Sequence, residues 1–291
     1  MKGIILAAGK GTRLYPMTKP VCKPLLPIYD KPLLYYPLEV LMKAEITDIL
    51  IIIPPGEEKS FSELLGDGSR LGLSISYREQ KVPKGIADAF LVGEDFIGTD
   101  GVCLILGDNI FYAPDFDRLL LEEKRKHQYA SVFGYWVEDP RPFGVVEVNA
   151  EGYAVSIEEK PAVPRSNYIV PGLYFYDNDV VAKAKTLQPS ARGELEITDI
   201  NRLYMQEGKL SVCPLPREFT WFDAGTADSL LYAANSIKKM QDSGIFVGVL
   251  ERIAWEKGYI NEECLKQSCQ EYENTQYGKY IRSLLQREKG R

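Results

Sequence analysis

The segment Leu6-Ala7-Ala8-Gly9-Lys10-Gly11-Thr12-Arg13-Leu14 places two glycines, a hydroxyl and two cations directly after an apolar run at residues 3–7. Small residues let backbone N–H groups approach phosphate oxygens closely, so the loop suits an anionic ligand. It is not a P-loop, which needs Lys directly before Ser or Thr. Leu14 also stands where the dinucleotide fingerprint G-x-G-x-x-G requires its third glycine. An ordinary βα turn is the plain alternative. Farther on, a proline-stiffened stretch around Pro20, Pro24 and Pro27 carries Lys19 and Lys23. Taken alone, these lysines read more readily as solvent-facing than as functional.

Two carboxylates complete the chemical inventory. Asp108 follows the apolar run 102–106, at the C-terminal edge of an expected central strand, where α/β sheets gather ligands. Asp223 lies in Trp221-Phe222-Asp223-Ala224-Gly225-Thr226, just ahead of a helical pattern, where it could equally serve as an N-cap. If the fold brings the pair together, they can hold one Mg²⁺. The rest follows from what is missing. His127 is the single histidine, and the five cysteines form no C-x-x-C pair, so neither a zinc cluster nor a Ser-His or Cys-His nucleophile is available. The chemistry must therefore need little proton transfer. Attack of a sugar phosphate oxygen on the α-phosphorus of a nucleoside triphosphate fits, because that nucleophile is already an anion.

These residues need a frame. Apolar β-rich runs at 3–7, 49–53, 73–77 and 102–106 alternate with amphipathic stretches at 33–43, 57–65, 86–96 and 115–126. The alternation predicts a Rossmann-like α/β fold, a mostly parallel mixed sheet flanked by helices. Beyond Tyr129 the β-rich runs 130–136, 145–148 and 169–176 extend the same sheet, with helices starting near Asn178 and Glu196. The last strand-like run is 245–250. We expect an α/β domain over 1–226 and a helical C-terminal segment over 227–291, packed on that domain or on a neighbouring subunit.

The 291 residues are 45% hydrophobic and 26% charged, enough for a full core. A formal net charge of -6 argues against nucleic acid or an anionic membrane as partner, so an anionic ligand must be held by a local site. Apolar runs are short, nothing at the start resembles a signal peptide, and an odd cysteine count suits reduced thiols; the expected location is cytoplasmic.

Together with Leu106-Gly107-Asp108-Asn109, Glu158-Glu159-Lys160-Pro161, Gly172-Leu173-Tyr174-Phe175-Tyr176-Asp177 and Arg192-Gly193-Glu194-Leu195-Glu196-Ile197-Thr198-Asp199, the glycine loop resembles that of the glucose-1-phosphate thymidylyltransferases, a family of sugar nucleotidyltransferases. The likeness covers nearly the whole chain. It implies transfer of a deoxythymidylyl group from dTTP to glucose 1-phosphate, with Mg²⁺ as cofactor and a homotetrameric assembly. The same chemistry with UTP, or nucleotide-sugar binding without turnover, are the competing readings.

By this resemblance Leu6, Gly9, Gly11, Thr12 and Arg13 hold the nucleotide, Arg13 and Lys23 act in catalysis at the α-phosphate, and Gln80 and Gly85 contact the pyrimidine. Asp108 and Asp223 bind the metal, Asp108 touching the nucleotide as well. Gly144, Glu159, Val170 and Tyr174 meet the hexose, while Lys160 and Arg192 hold its phosphate. The chain departs from the family pattern at Ala8, Pro24, Lys84 and Ala224. At a second, regulatory nucleotide site of the family Arg217 matches, but Pro114 and Glu256 replace a histidine and an arginine.

Overall fold

A computed structural model describes residues 1–126 and 128–288; His127 lies outside the described residues. The strands are β1 (Lys2–Leu6), β2 (Pro27–Ile28), β3 (Lys31–Pro32), β4 (Asp48–Ile53), β5 (Ser74–Glu79), β6 (Val102–Leu106), β7 (Asn109–Tyr112), β8 (Ala130–Trp136), β9 (Gly144–Val148), β10 (Ala154–Glu159), β11 (Tyr168–Ile169), β12 (Leu173–Tyr176), β13 (Leu210–Pro214) and β14 (Thr220–Asp223). The helices are α1 (Tyr35–Lys43), α2 (Glu58–Leu65), α3 (Asp88–Val92), α4 (Glu94–Ile97), α5 (Phe116–Lys126), α6 (Asp179–Thr186), α7 (Ile197–Gln206), α8 (Ala227–Asp242), α9 (Leu250–Glu256), α10 (Glu262–Glu271) and α11 (Gln276–Glu288).

One sheet runs β10-β9-β11-β8-β12-β6-β1-β4-β5, with β13 added alongside β8. Pairing is parallel through β6, β1, β4 and β5, and antiparallel from β12 to β10. The inner parallel strands β1, β4 and β6 are apolar on both faces because helices cover both, while β5 at the sheet's edge alternates apolar with polar residues. Ile4, Leu50 and Leu104 sit in register and pack on one face with Phe90 and Tyr176. Ile5, Ile51 and Ile105 pack on the other with Leu38 and Leu41 of α1. Each such buried side chain contributes about 1.5–3 kcal/mol.

The C-terminal helices pack on this frame. Leu230, Ala233 and Ile237 of α8 meet Ile28, Tyr36 and Phe222, and Leu250, Ile253 and Ala254 of α9 join the cluster containing α1. A buried carboxylate fastens the contact: Glu39 Oε2 accepts the Gly248 N–H at 2.8 Å, while Oε1 faces Lys43 at 3.4 Å and Arg252 at 3.5 Å. The run at 245–250 is not a strand; Gly248 takes φ 72° and Leu250 opens α9. The run at 169–176 is likewise broken, since Val170, Pro171 and Gly172 separate β11 from β12. Gly172 has to be small, because a Cβ there would lie 2.5 Å from Leu106 Cγ.

Candidate active site

The C-terminal ends of β1 and β6 open into one cleft of about 820 Å³. Its walls include Leu6, Gly9, Arg13, Lys23, Asp108, Gly144, Glu159, Lys160, Val170, Tyr174 and Asp223. Beyond β1 the chain turns at Gly11, whose φ of 60° favours glycine, and Thr18 Oγ1 donates to the Gly11 carbonyl at 2.7 Å. A Cβ at Gly11 would come within 3.0 Å of Thr18 Cγ2 and 3.2 Å of Lys23 Cβ. The turn therefore brings the glycine loop against Lys23. Contrary to a solvent-facing lysine, Lys23 is buried, and its Nζ donates to Asp108 Oδ2 at 2.5 Å; Lys19 is the exposed one.

A short antiparallel pair joins the two aspartates. β7 follows Asp108, β14 ends at Asp223, and the register sets Asp223 opposite Asn109, with the Ala224 N–H donating to the Asp108 carbonyl at 3.1 Å. Side chains lock the pair: Trp221 Nε1 donates to Asn109 Oδ1 at 2.6 Å, and Asn109 Nδ2 donates to Asp108 Oδ1 at 2.8 Å. Asp223 is not the helix cap. Thr226 caps α8, in a reciprocal capping box with Ser229.

Burial first, and the neighbouring Asp108 charge second, push the Asp223 carboxyl above its ordinary value. Lys23, Arg13 and Lys160 pull it down, so three cations converge on this one carboxylate. The two acids form an anionic pair with hard oxygen donors, which fits Mg²⁺, an ion commonly held by one or two carboxylates plus substrate phosphates and water. Among the described residues no cluster of three or more His, Cys, Asp or Glu side chains is arranged for a metal.

The opposite wall comes from β9, β10, β12 and α7. Glu159 Oε2 accepts from Thr198 Oγ1 at 2.7 Å, and Lys160 Nζ lies 3.6 Å from Glu159 Oε1. Lys160 holds φ 46°, a left-handed conformation that costs a non-glycine residue about 1–3 kcal/mol and clusters at functional sites. Tyr174 is buried, and burial followed by Glu159 and Asp108 pushes its phenol up, so it stays a neutral hydrogen-bonding group.

Five expected residues lie off the cleft wall. Gly11 and Thr12, at the far end of the glycine loop, are not among the residues that line the cleft. Gln80 and Gly85 border a neighbouring recess formed by Arg78, Lys81, Lys84 and Asp88, beside Ile86 of the cleft. Arg192 is held by Glu196 at 2.9 Å, Glu159 at 3.4 Å and Glu194 at 3.6 Å. The loop around Gly85 is tied to the segment before α7: Leu195 donates to the Lys84 carbonyl at 2.6 Å and accepts from Ala87 at 3.1 Å. Sequence reasoning did not single out Asn109, Thr198 or Trp221 for function. Asn109 and Trp221 flank the two aspartates, and Thr198 reads as an ordinary helix start; only pairing across β7 and β14 reveals the first two.

The sequence profile of the nucleotidyl transferase family, described as "Nucleotidyl transferase", matches residues 2–240. The chain belongs to this family. Among nucleotidyl transferases it is 53% identical over 288 residues to the glucose-1-phosphate thymidylyltransferase of Neisseria meningitidis, covering 99% of this chain and 100% of that one. It is 49% identical over 288 residues to the enzyme of the same name from Mycobacterium tuberculosis, with 99% and 100% covered. A crystal structure of a protein from Bacillus anthracis in complex with a sucrose superposes with TM-score 0.75 at 43% identity, covering 81% of this chain and 94% of that one. UDP-glucose pyrophosphorylase complexed with UDP-glucose is more distant, at TM-score 0.73 and 27% identity, covering 82% and 98%.

Proposed function

We propose that this chain transfers a deoxythymidylyl group from dTTP to glucose 1-phosphate, giving dTDP-glucose and pyrophosphate. The observation that carries the reading is the meeting of Lys23, Asp108 and Asp223 in a cleft whose far wall holds Glu159, Lys160 and Tyr174. Near-full-length identity to the thymidylyltransferases supports dTTP over UTP.

In this proposal the amides of Gly9, Gly11 and Thr12 hold the triphosphate, with Leu6 against the nucleotide. Arg13 and Lys23 offset charge that builds on the α-phosphate, where fixed donors lower the barrier without reorganising. Gln80 and Gly85 read the pyrimidine. Gly144, Glu159, Val170 and Tyr174 seat the hexose, while Lys160 and Arg192 hold its phosphate oxygen in line with the α-phosphorus. No base is required, because the attacking oxygen carries no proton. Mg²⁺, held by Asp108 and Asp223, would neutralise phosphate charge when bound. The enzyme would act in the cytoplasm as a homotetramer; the exposed Leu231 and Tyr232 on α8 offer an apolar surface for assembly.

The test is pyrophosphate release. Release is expected with dTTP, glucose 1-phosphate and Mg²⁺ together and not when any one is omitted. Nucleotide binding without turnover, or turnover with UTP at a higher kcat/KM than with dTTP, would refute the assignment.

A further inference from the structure

Gln80 and Asp88 are both buried, and they face each other where β5 ends and α3 begins. Gln80 Nε2 donates to Asp88 Oδ2 at 2.8 Å and reaches the Gly85 carbonyl at 3.5 Å. Such an amide has two ends of similar size but opposite polarity, and rotating it by half a turn exchanges an acceptor for a donor. A carboxylate only accepts, so the end facing Asp88 has to be the NH₂ group. The amide is thereby fixed in one sense, with Oε1 as the end left over. Among the described residues Oε1 accepts no hydrogen bond, and it is not among the buried atoms left without a partner, so that oxygen keeps some access to solvent although the residue as a whole is buried.

The neighbouring loop supplies the complementary group. Gly85 holds φ 99°, and a Cβ there would lie 2.5 Å from the Leu195 carbonyl oxygen, so its backbone approaches unshielded. Its N–H donates to no described residue. One acceptor and one donor side by side match the edge of thymine or uracil, which offers N3–H beside the O4 acceptor. They mismatch cytosine, which offers an N3 acceptor beside an amino donor.

We propose that Asp88 is a positioning residue that sets base choice: by accepting Gln80 Nε2 it holds Gln80 Oε1 ready for the N3–H of thymine or uracil and so excludes cytosine. This rests on the function proposed above, with Gln80 at the base. Asp88 touches no substrate in this account, and its whole effect passes through Gln80.

The experiment compares kcat/KM for dTTP and dCTP in the wild type, Asp88→Asn, Gln80→Ala and the double variant. An asparagine at 88 can present either its oxygen or its NH₂, so Gln80 can turn over and offer a donor to cytosine N3. The dTTP to dCTP preference is expected to fall roughly 10- to 100-fold in Asp88→Asn, with KM for glucose 1-phosphate and the melting temperature little changed. Gln80→Ala is expected to lower the same ratio, and adding Asp88→Asn to it should lower the ratio no further. An equal drop with both triphosphates, an unchanged ratio, or an undiminished effect of Asp88→Asn without Gln80 would overturn the proposal. Gln80→Ala decides the matter even if Asp88→Asn does not fold, since an unaltered ratio there removes the reader that Asp88 is meant to set. A wild type that turns over no pyrimidine triphosphate would instead refute the proposed function itself.

Discussion

Gly225→Ala probes the carboxylate pair without removing any group from it. A Cβ added at Gly225 would lie 3.0 Å from Asp223 Oδ1 and 3.2 Å from Oδ2. The backbone there is not in the left-handed region, so alanine brings no conformational strain of its own. The Asp223 carboxylate is the end of a side chain and is the part that yields, by about 0.4 Å to reach ordinary contact. A 1 Å error in placing reacting groups costs on the order of 100-fold, so a shift of about 0.4 Å should lower kcat/KM about 3- to 10-fold. Stability should change little, because Gly→Ala gains about 0.4–1 kcal/mol through the unfolded chain against a small local clash. The assay is pyrophosphate release across a Mg²⁺ titration, beside a thermal melt. Unchanged turnover with an unchanged Mg²⁺ dependence would refute the placement of Asp223 at the reacting centre.

Further outcomes follow from the same geometry. Asp108→Asn removes the partner of Lys23 and should lower kcat about 100- to 1000-fold while the protein still folds, as circular dichroism and turnover would show. Because burial and Asp108 raise the Asp223 carboxyl, its titration followed by carbon NMR without Mg²⁺ should have a midpoint above the ordinary aspartate value and move down in Asp108→Asn. A group with a raised folded-state pKa stabilises the fold below its unfolded pKa and loses that contribution as pH rises through the folded value. Asp223→Asn should therefore raise the melting temperature near pH 8, with the gain vanishing in acid below the ordinary carboxylate pKa. Far from the cleft, Glu39→Ala leaves the Gly248 N–H without its acceptor and takes one of two carboxylates from Arg252, which keeps Glu256, and denaturant unfolding should show a loss of about 1–3 kcal/mol.

The parallel half of the fold was legible because β1, β4 and β6 carry near-continuous apolar runs and β5 alternates apolar with polar residues. Residues 102–106 and 130–136 are strands over those bounds, and helices begin beside Asn178 and Glu196. β10, β13 and β14 were not, since Glu158 and Glu159, Ser211 and the aromatic pair Trp221 and Phe222 give no clean alternation. Of the site, the glycine loop and both aspartates could be picked out by residue type. Their meeting could not, because it depends on β7 pairing with β14 across a long stretch of chain. The burial of Lys23 and the hold of Asp88 on Gln80 were equally hidden, since nothing local in the sequence says which lysine turns inward or which way an amide faces.

The proposed transfer is a single in-line displacement at the α-phosphorus, without a covalent intermediate on the protein. Running the reaction with dTTP carrying one sulfur of known configuration on the α-phosphate tests it directly, the product being analysed by phosphorus NMR. Inverted configuration is expected at that phosphorus. Retention would mean two successive displacements through a nucleotidylated side chain and would contradict it.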